Sequence, residues 1–89
     1  MNNRKELACE FADEINSEDI VQIILFGSVA RGDDGEDSDI DILIVSPSVR
    51  KIRKDSNKIV VNILLEKNEL ISAHFMTEKH FNETKDYHF

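Results

Sequence analysis

Apolar residues recur at Leu7, Ala8, Phe11, Ala12 and Ile15, the spacing of one face of a helix. Asn2 or Asn3 stands where a cap belongs, Asn16-Ser17 where the helix would end, and Glu6, Glu10, Asp13 and Glu14 face solvent or flank the stripe. The period then changes. Ile20 to Phe26 is nearly all apolar, with isoleucine and valine prominent, and predicts a strand buried on both faces. Gly27-Ser28 breaks the run, and Ser28 is placed to cap a short helical turn through Val29, Ala30 and Arg31. A polar loop over 32–38 leads to a second strand from Asp39 to Val45, polar at its start and wholly apolar at its end. Ser46-Pro47-Ser48 closes that strand, because proline cannot donate into a ladder.

Residues 49–67 admit two readings. Ile52, Ile59, Val60, Ile63 and Leu64 fit one helical face, with a start near Asp55 or Ser56. Ile59-Val60-Val61 and Ile63-Leu64-Leu65 are also strand material, and would form a hairpin with its turn over 66–69. The helix is the preferred reading. Ile71 to Met76 predicts a third strand, and Thr77 caps a short last helix that opens Glu78-Lys79-His80-Phe81. The end, Asp86-Tyr87-His88-Phe89, is expected to be only partly ordered. Together these elements predict one α/β domain over 1–89, a small mixed β-sheet with helices packed mainly on one face.

Charge narrows the function. Eleven basic against eighteen acidic residues give a formal net charge of −7, which argues against direct binding to nucleic acid and favours a cationic partner, a metal ion or a basic protein surface. Cys9 is the only cysteine, so no intramolecular disulfide can form; it is expected to pack as a small apolar residue. The first six residues lack the apolar core of a signal peptide, and no apolar run reaches the length of a membrane span. The expected location is the cytoplasm, with no membrane partner.

The chemistry concentrates in one stretch. Gly27-Ser28 is followed, after ten residues, by Asp39-Ile40-Asp41. Asp at i and i+2 of a strand places both carboxylates on one face. Glycine lets backbone N–H groups approach a phosphate, and the Ser28 hydroxyl adds a donor. Arg31 can reach a phosphate or pair with the loop acids, of which Asp33, Asp34, Glu36 and Asp37 read as solvated. Paired carboxylates beside a phosphate cradle suit metal-assisted nucleotide chemistry, with Mg²⁺ or Mn²⁺ as the hard cation.

With its spacing and both flanking strands, the run GSVARGDDGEDSDIDILIV resembles the signature of the DNA polymerase β-like nucleotidyltransferase superfamily, and is most similar to its small stand-alone members, the minimal nucleotidyltransferases. The resemblance implies transfer of a nucleotide monophosphate, AMP from ATP, to an acceptor hydroxyl, with Asp39 and Asp41 as catalytic metal-binding residues and Gly27 and Ser28 at the nucleotide phosphates. Ser38, just before the aspartates, is also typical of the family and joins the nucleotide-binding set with Arg31. Stand-alone members are commonly paired with a small helical protein of the HEPN class, in toxin–antitoxin pairs where a tyrosine of the HEPN ribonuclease is adenylylated. The resemblance therefore implies a nucleoside triphosphate and a HEPN-type protein as partners. Many members carry a third carboxylate on a later strand. Here that position falls on Ser72, or on Asn62 under the hairpin reading, and neither is acidic. The departure leaves open a second reading, a weakly active or inactive module that acts by contact alone. His74 shares the strand face of Ser72; the simpler reading makes it an ordinary strand residue, the sharper one a ligand or base.

Overall fold

The computed structural model describes residues 3–85, with side chains described from 4 to 83. In chain order the elements are α1 (Asn3–Ile15), β1 (Gln22–Phe26), α2 (Gly27–Arg31), β2 (Ile40–Val45), α3 (Val49–Lys67), β3 (Ile71–Met76) and α4 (Glu78–Lys85). Among the described residues the strands form one mixed sheet of order β1-β2-β3, in which β2 runs antiparallel to β1 and parallel to β3. The expected α/β architecture is therefore present. Asn2 as a cap and the order of residues 86–89 lie outside the described residues.

Alternation along the strands sorts the sheet into two faces. Ile40, Ile42 and Ile44 of β2 are fully buried and join Leu7, Ala8, Phe11 and Ile15 of α1 with Ile52 and Ile63 of α3 in one core. Ile23, Leu25, Ala73 and Phe75 flank that core from the outer strands. The register then assigns the opposite face. Phe26 pairs with Asp41 and Asp41 with Ser72; in the next row Ile24 pairs with Leu43 and Leu43 with His74. Helices α1 and α3 thus cover one face, and the candidate chemistry lies on the other.

Four local expectations change. Residues 49–67 form one helix, which removes the hairpin and puts Asn62 on α3; the helix starts at Val49, six residues before Asp55. Ser46 explains the early start. Its buried hydroxyl donates to the Asp19 carbonyl and accepts from the Ser48 N–H, and it turns the chain directly into α3. Strand β1 is an edge strand with half-exposed residues, because β2 takes the central position and pairs on both sides. Ser28 lies inside α2 rather than capping it; Phe26 holds the cap position. Cys9 is exposed rather than packed, since the buried stripe of α1 runs through its neighbours Ala8 and Phe11. Thr77 does cap α4, accepting the His80 N–H at 3.1 Å.

Candidate active site

The turn from β1 into α2 is built around Gly27. Its φ of +77° lies in the left-handed region that favours glycine. A Cβ there would overlap Asp41 Oδ2 and lie 3.1 Å from Asp41 Cγ. Glycine is thus required twice, by its backbone angle and by the carboxylate pressed against it. Gly32, at φ +81°, ends α2 one turn later and donates its N–H to the Ser28 carbonyl at 2.9 Å. This returns the chain toward β2.

The loop over 32–38 is held by a residue that sequence reasoning missed. Arg4 of α1 donates from Nε to Glu69 Oε2 at 2.9 Å and from Nη1 to Asp34 Oδ2 at 2.8 Å. It also donates to the backbone carbonyls of Gly35 and, at 2.7 Å, Glu36. The hydrogen bond to Asp34, with that to Glu69, raises the Arg4 pKa above its ordinary value against an opposing desolvation, so Arg4 is a cation at every workable pH. Asp34 is therefore a tethered, largely buried acid and not a solvated one, while Asp33, Glu36 and Asp37 are exposed. The sixty-five positions between Arg4 and Glu69 left no local signal for this clamp. Arg4→Ala is expected to destabilise the domain by about 1–3 kcal/mol, with no rescue by Arg4→Lys, whose ammonium cannot make the same fork. Urea denaturation measures the first effect. Faster cleavage after Glu36 by a glutamate-specific protease reports release of the loop.

Asp41 lies on the open face of β2, and Asp39, expected at the start of that strand, falls immediately before it. Asp39 is exposed and the Asp41 side chain is 31 % exposed. Ser72 is the register neighbour of Asp41 on β3, the position at which the resemblance expects a third carboxylate. His74 turns back toward the same point: Nε2 lies 3.8 Å from Asp41 Oδ1 and 3.4 Å from Ser72 Oγ. Its ring packs against Phe26 at a centroid distance of 5.3 Å and a tilt of 58°. The simpler reading made His74 an ordinary strand residue on the face of Ser72. The parallel register of β3 on β2 brings it in.

Two expected binders are engaged within the loop. Arg31 is well exposed and pairs with Asp33 at 3.3 Å, the second of the two roles its position allows. Ser38 accepts the Gly35 N–H at 2.9 Å and closes the loop just before Asp39.

Among the described residues no three of His, Cys, Asp and Glu converge as a ready-made metal cage. The donor set still fits a cation of the Mg²⁺ type, which commonly takes one or two carboxylates and completes its shell with water and substrate phosphates. Gly27 keeps the space beside the Asp41 carboxylate free of a side chain.

A glycine turn, an Asp-x-Asp strand and a mixed sheet covered on one face define a nucleotidyl-transfer fold. The chain belongs to the nucleotidyltransferase domain family, whose description matches residues 8–88, and it is a domain of that enzyme class. Two similar proteins come from Methanocaldococcus jannaschii. "Putative protein adenylyltransferase MJ1305" is 45 % identical over 49 residues, which cover 55 % of this chain and 33 % of that protein. "Putative protein adenylyltransferase MJ0604" is 38 % identical over 92 residues, which cover all of this chain and 88 % of that protein. The chain thus spans about a third of the first relative. No solved structure matches it at a significant level. Among the described residues no helix is long and apolar enough to cross a membrane.

Proposed function

We propose that the domain transfers AMP from ATP to a hydroxyl of a partner protein, with a divalent cation held at Asp39 and Asp41. The observation that carries this reading is the placement of Asp41 on the open sheet face against the side-chain-free turn at Gly27. Asp39 and Asp41 supply hard oxygen donors at the point where Gly27 and Ser28 would receive the triphosphate. When bound there, a cation would supply neutralisation of phosphate charge and polarisation of the phosphorus. The acceptor oxygen would form a bond to the α-phosphorus, the bond from the α-phosphorus to the oxygen bridging it to the β-phosphorus would break, pyrophosphate would leave with that oxygen, and the hydroxyl proton would pass to solvent or to the leaving pyrophosphate. His74 and Phe26 border the face on which the acceptor would lie.

A protein acceptor is supported by the names of both relatives and by the surface. Val61, Leu65 and Leu70 are 50 %, 78 % and 43 % exposed, which offers apolar area to a partner. A tyrosine of a HEPN-type protein remains the specific proposal from the resemblance, and a basic partner surface suits the net charge of −7. Ser72 favours a second reading, a module that binds nucleotide and partner with little turnover, because the β3 register neighbour of Asp41 is not acidic.

ATP labelled at the α-phosphate, in parallel with ATP labelled at the γ-phosphate, tests the reaction type. With Mg²⁺ or Mn²⁺ and the product of the neighbouring gene, label is expected on the partner from the α-position only, with release of pyrophosphate. Label from the γ-position would instead mean phosphoryl transfer. A stable complex without label from either position would favour the second reading.

A further inference from the structure

We propose that His74 is a metal ligand of this site, so that an imidazole nitrogen with Asp41 binds a transition divalent cation such as Mn²⁺ in preference to Mg²⁺. The inference rests on the proposed function in taking Asp41 as a ligand; what is new is the nitrogen. Nε2 of His74 faces Asp41 Oδ1 at 3.8 Å, too long for a hydrogen bond. It is within the separation of about 3–4 Å expected for two donors sharing one ion at ~2.1 Å each. The contact to Ser72 Oγ, at 3.4 Å, is also a weak one. No short hydrogen bond therefore competes for this nitrogen in either contact.

The ring is positioned from both sides. The β3 backbone sets its row one step beyond that of Asp41, and the ring of Phe26, the β1 partner of Asp41, packs against it at a tilt. The Asp41 carboxylate thus has the Gly27 turn on one side and the imidazole on the other. A carboxylate pair alone is a hard, oxygen-only set. Adding an imidazole beside it moves the preference away from Mg²⁺, which favours oxygen, toward first-row transition ions, which accept nitrogen; Mn²⁺ is the first and weakest of these. Ser72 fits the same account: a carboxylate at 72 would restore an oxygen set, and the small hydroxyl leaves room for the ring.

Mn²⁺ itself is the probe, with a non-hydrolysable ATP analogue present. Electron spin-echo envelope modulation is expected to show ¹⁴N coupling in the wild-type complex. The coupling should vanish in His74→Ala and persist in His80→Ala, and should switch to ¹⁵N when only histidine is ¹⁵N-labelled. That last arm uses the wild-type chain and does not depend on a variant folding. Competition titration is expected to show a Mn²⁺-over-Mg²⁺ preference that falls about tenfold or more in His74→Ala. Ser72→Asp should move the preference toward Mg²⁺. Bound Mn²⁺ without histidine nitrogen coupling would overturn the proposal, as would a metal ratio unchanged in His74→Ala. Loss of Mn²⁺ binding in Asp39→Asn/Asp41→Asn would then leave the proposed function standing on oxygen donors alone. Mn²⁺ retained by that double variant, or not bound by the wild type, would contradict both.

Discussion

Asp41→Ala is expected to lower nucleotidyl transfer about a thousandfold or more, ~4 kcal/mol of transition-state stabilisation, with little loss of fold stability. Asp41 sits on the central strand, but its carboxylate points away from the core that Ile40 and Ile42 build. A structural acid on a buried strand would be tied by hydrogen bonds, and its removal would cost stability. Here the neighbours are the Gly27 turn, the ring of His74 and the small side chain of Ser72. Removing a half-buried negative charge from such a place is expected to leave the melting temperature unchanged or slightly raised, the usual mark of a residue kept for activity. Asp41→Asn preserves shape and removes charge, so it should lose activity almost as completely. Thermal melts beside label-transfer assays on both variants check the claim. A large drop in melting temperature with activity retained would make Asp41 a structural residue.

Gly27→Ala is expected to damage both stability and activity. Holding alanine at φ +77° costs about 1–2 kcal/mol, and displacement of the Asp41 carboxylate adds to it, giving about 2–4 kcal/mol in total. For a domain of 89 residues each kcal/mol lowers the melting temperature by about 4–8 °C. Transfer should fall about a hundredfold beyond the loss of folded protein, because the carboxylate cannot keep its place beside the new methyl. The two causes separate in a double-mutant cycle. In an Asp41→Ala background the methyl meets fewer atoms, so the stability cost of Gly27→Ala should shrink toward the backbone part alone. An undiminished cost would assign the whole effect to the backbone angle.

Local pattern carried most of the architecture. The apolar stripe of α1, the apolar run of β2 and the turn at Gly27-Ser28 each depend on neighbours within a few residues, and each element appears within a residue or so of where the pattern puts it. Misreadings arose where long-range pairing decides. Ile20 to Phe26 is apolar enough for a central strand, yet β2 occupies the centre because β3 pairs on its far side. The helix start at Val49 depends on Ser46 reaching back to Asp19. The Arg4 clamp joins α1, the loop and Glu69 after α3, which no spacing rule connects.

The site divides in the same way. Gly27, Asp39 and Asp41 were legible because a turn and an i, i+2 pair are local features. Ser72 was legible as the position at which the resemblance expects a third carboxylate, and the register puts it beside Asp41. His74 was legible as a residue on the strand face of Ser72, but its approach to Asp41 was not, since that depends on the parallel register and on a ring turned back along the strand. The requirement that Gly27 leave room for the Asp41 carboxylate emerges only when β1 and β2 lie side by side.

The most direct measurement is transfer of α-labelled phosphate from ATP to the partner protein, comparing the wild type with folded Asp39→Ala/Asp41→Ala at matched concentration. The account predicts label on the partner with the wild type and none above background with the double variant, while both still fold. Equal labelling by the two proteins would contradict it, and so would absence of label from a wild-type protein that binds ATP and partner.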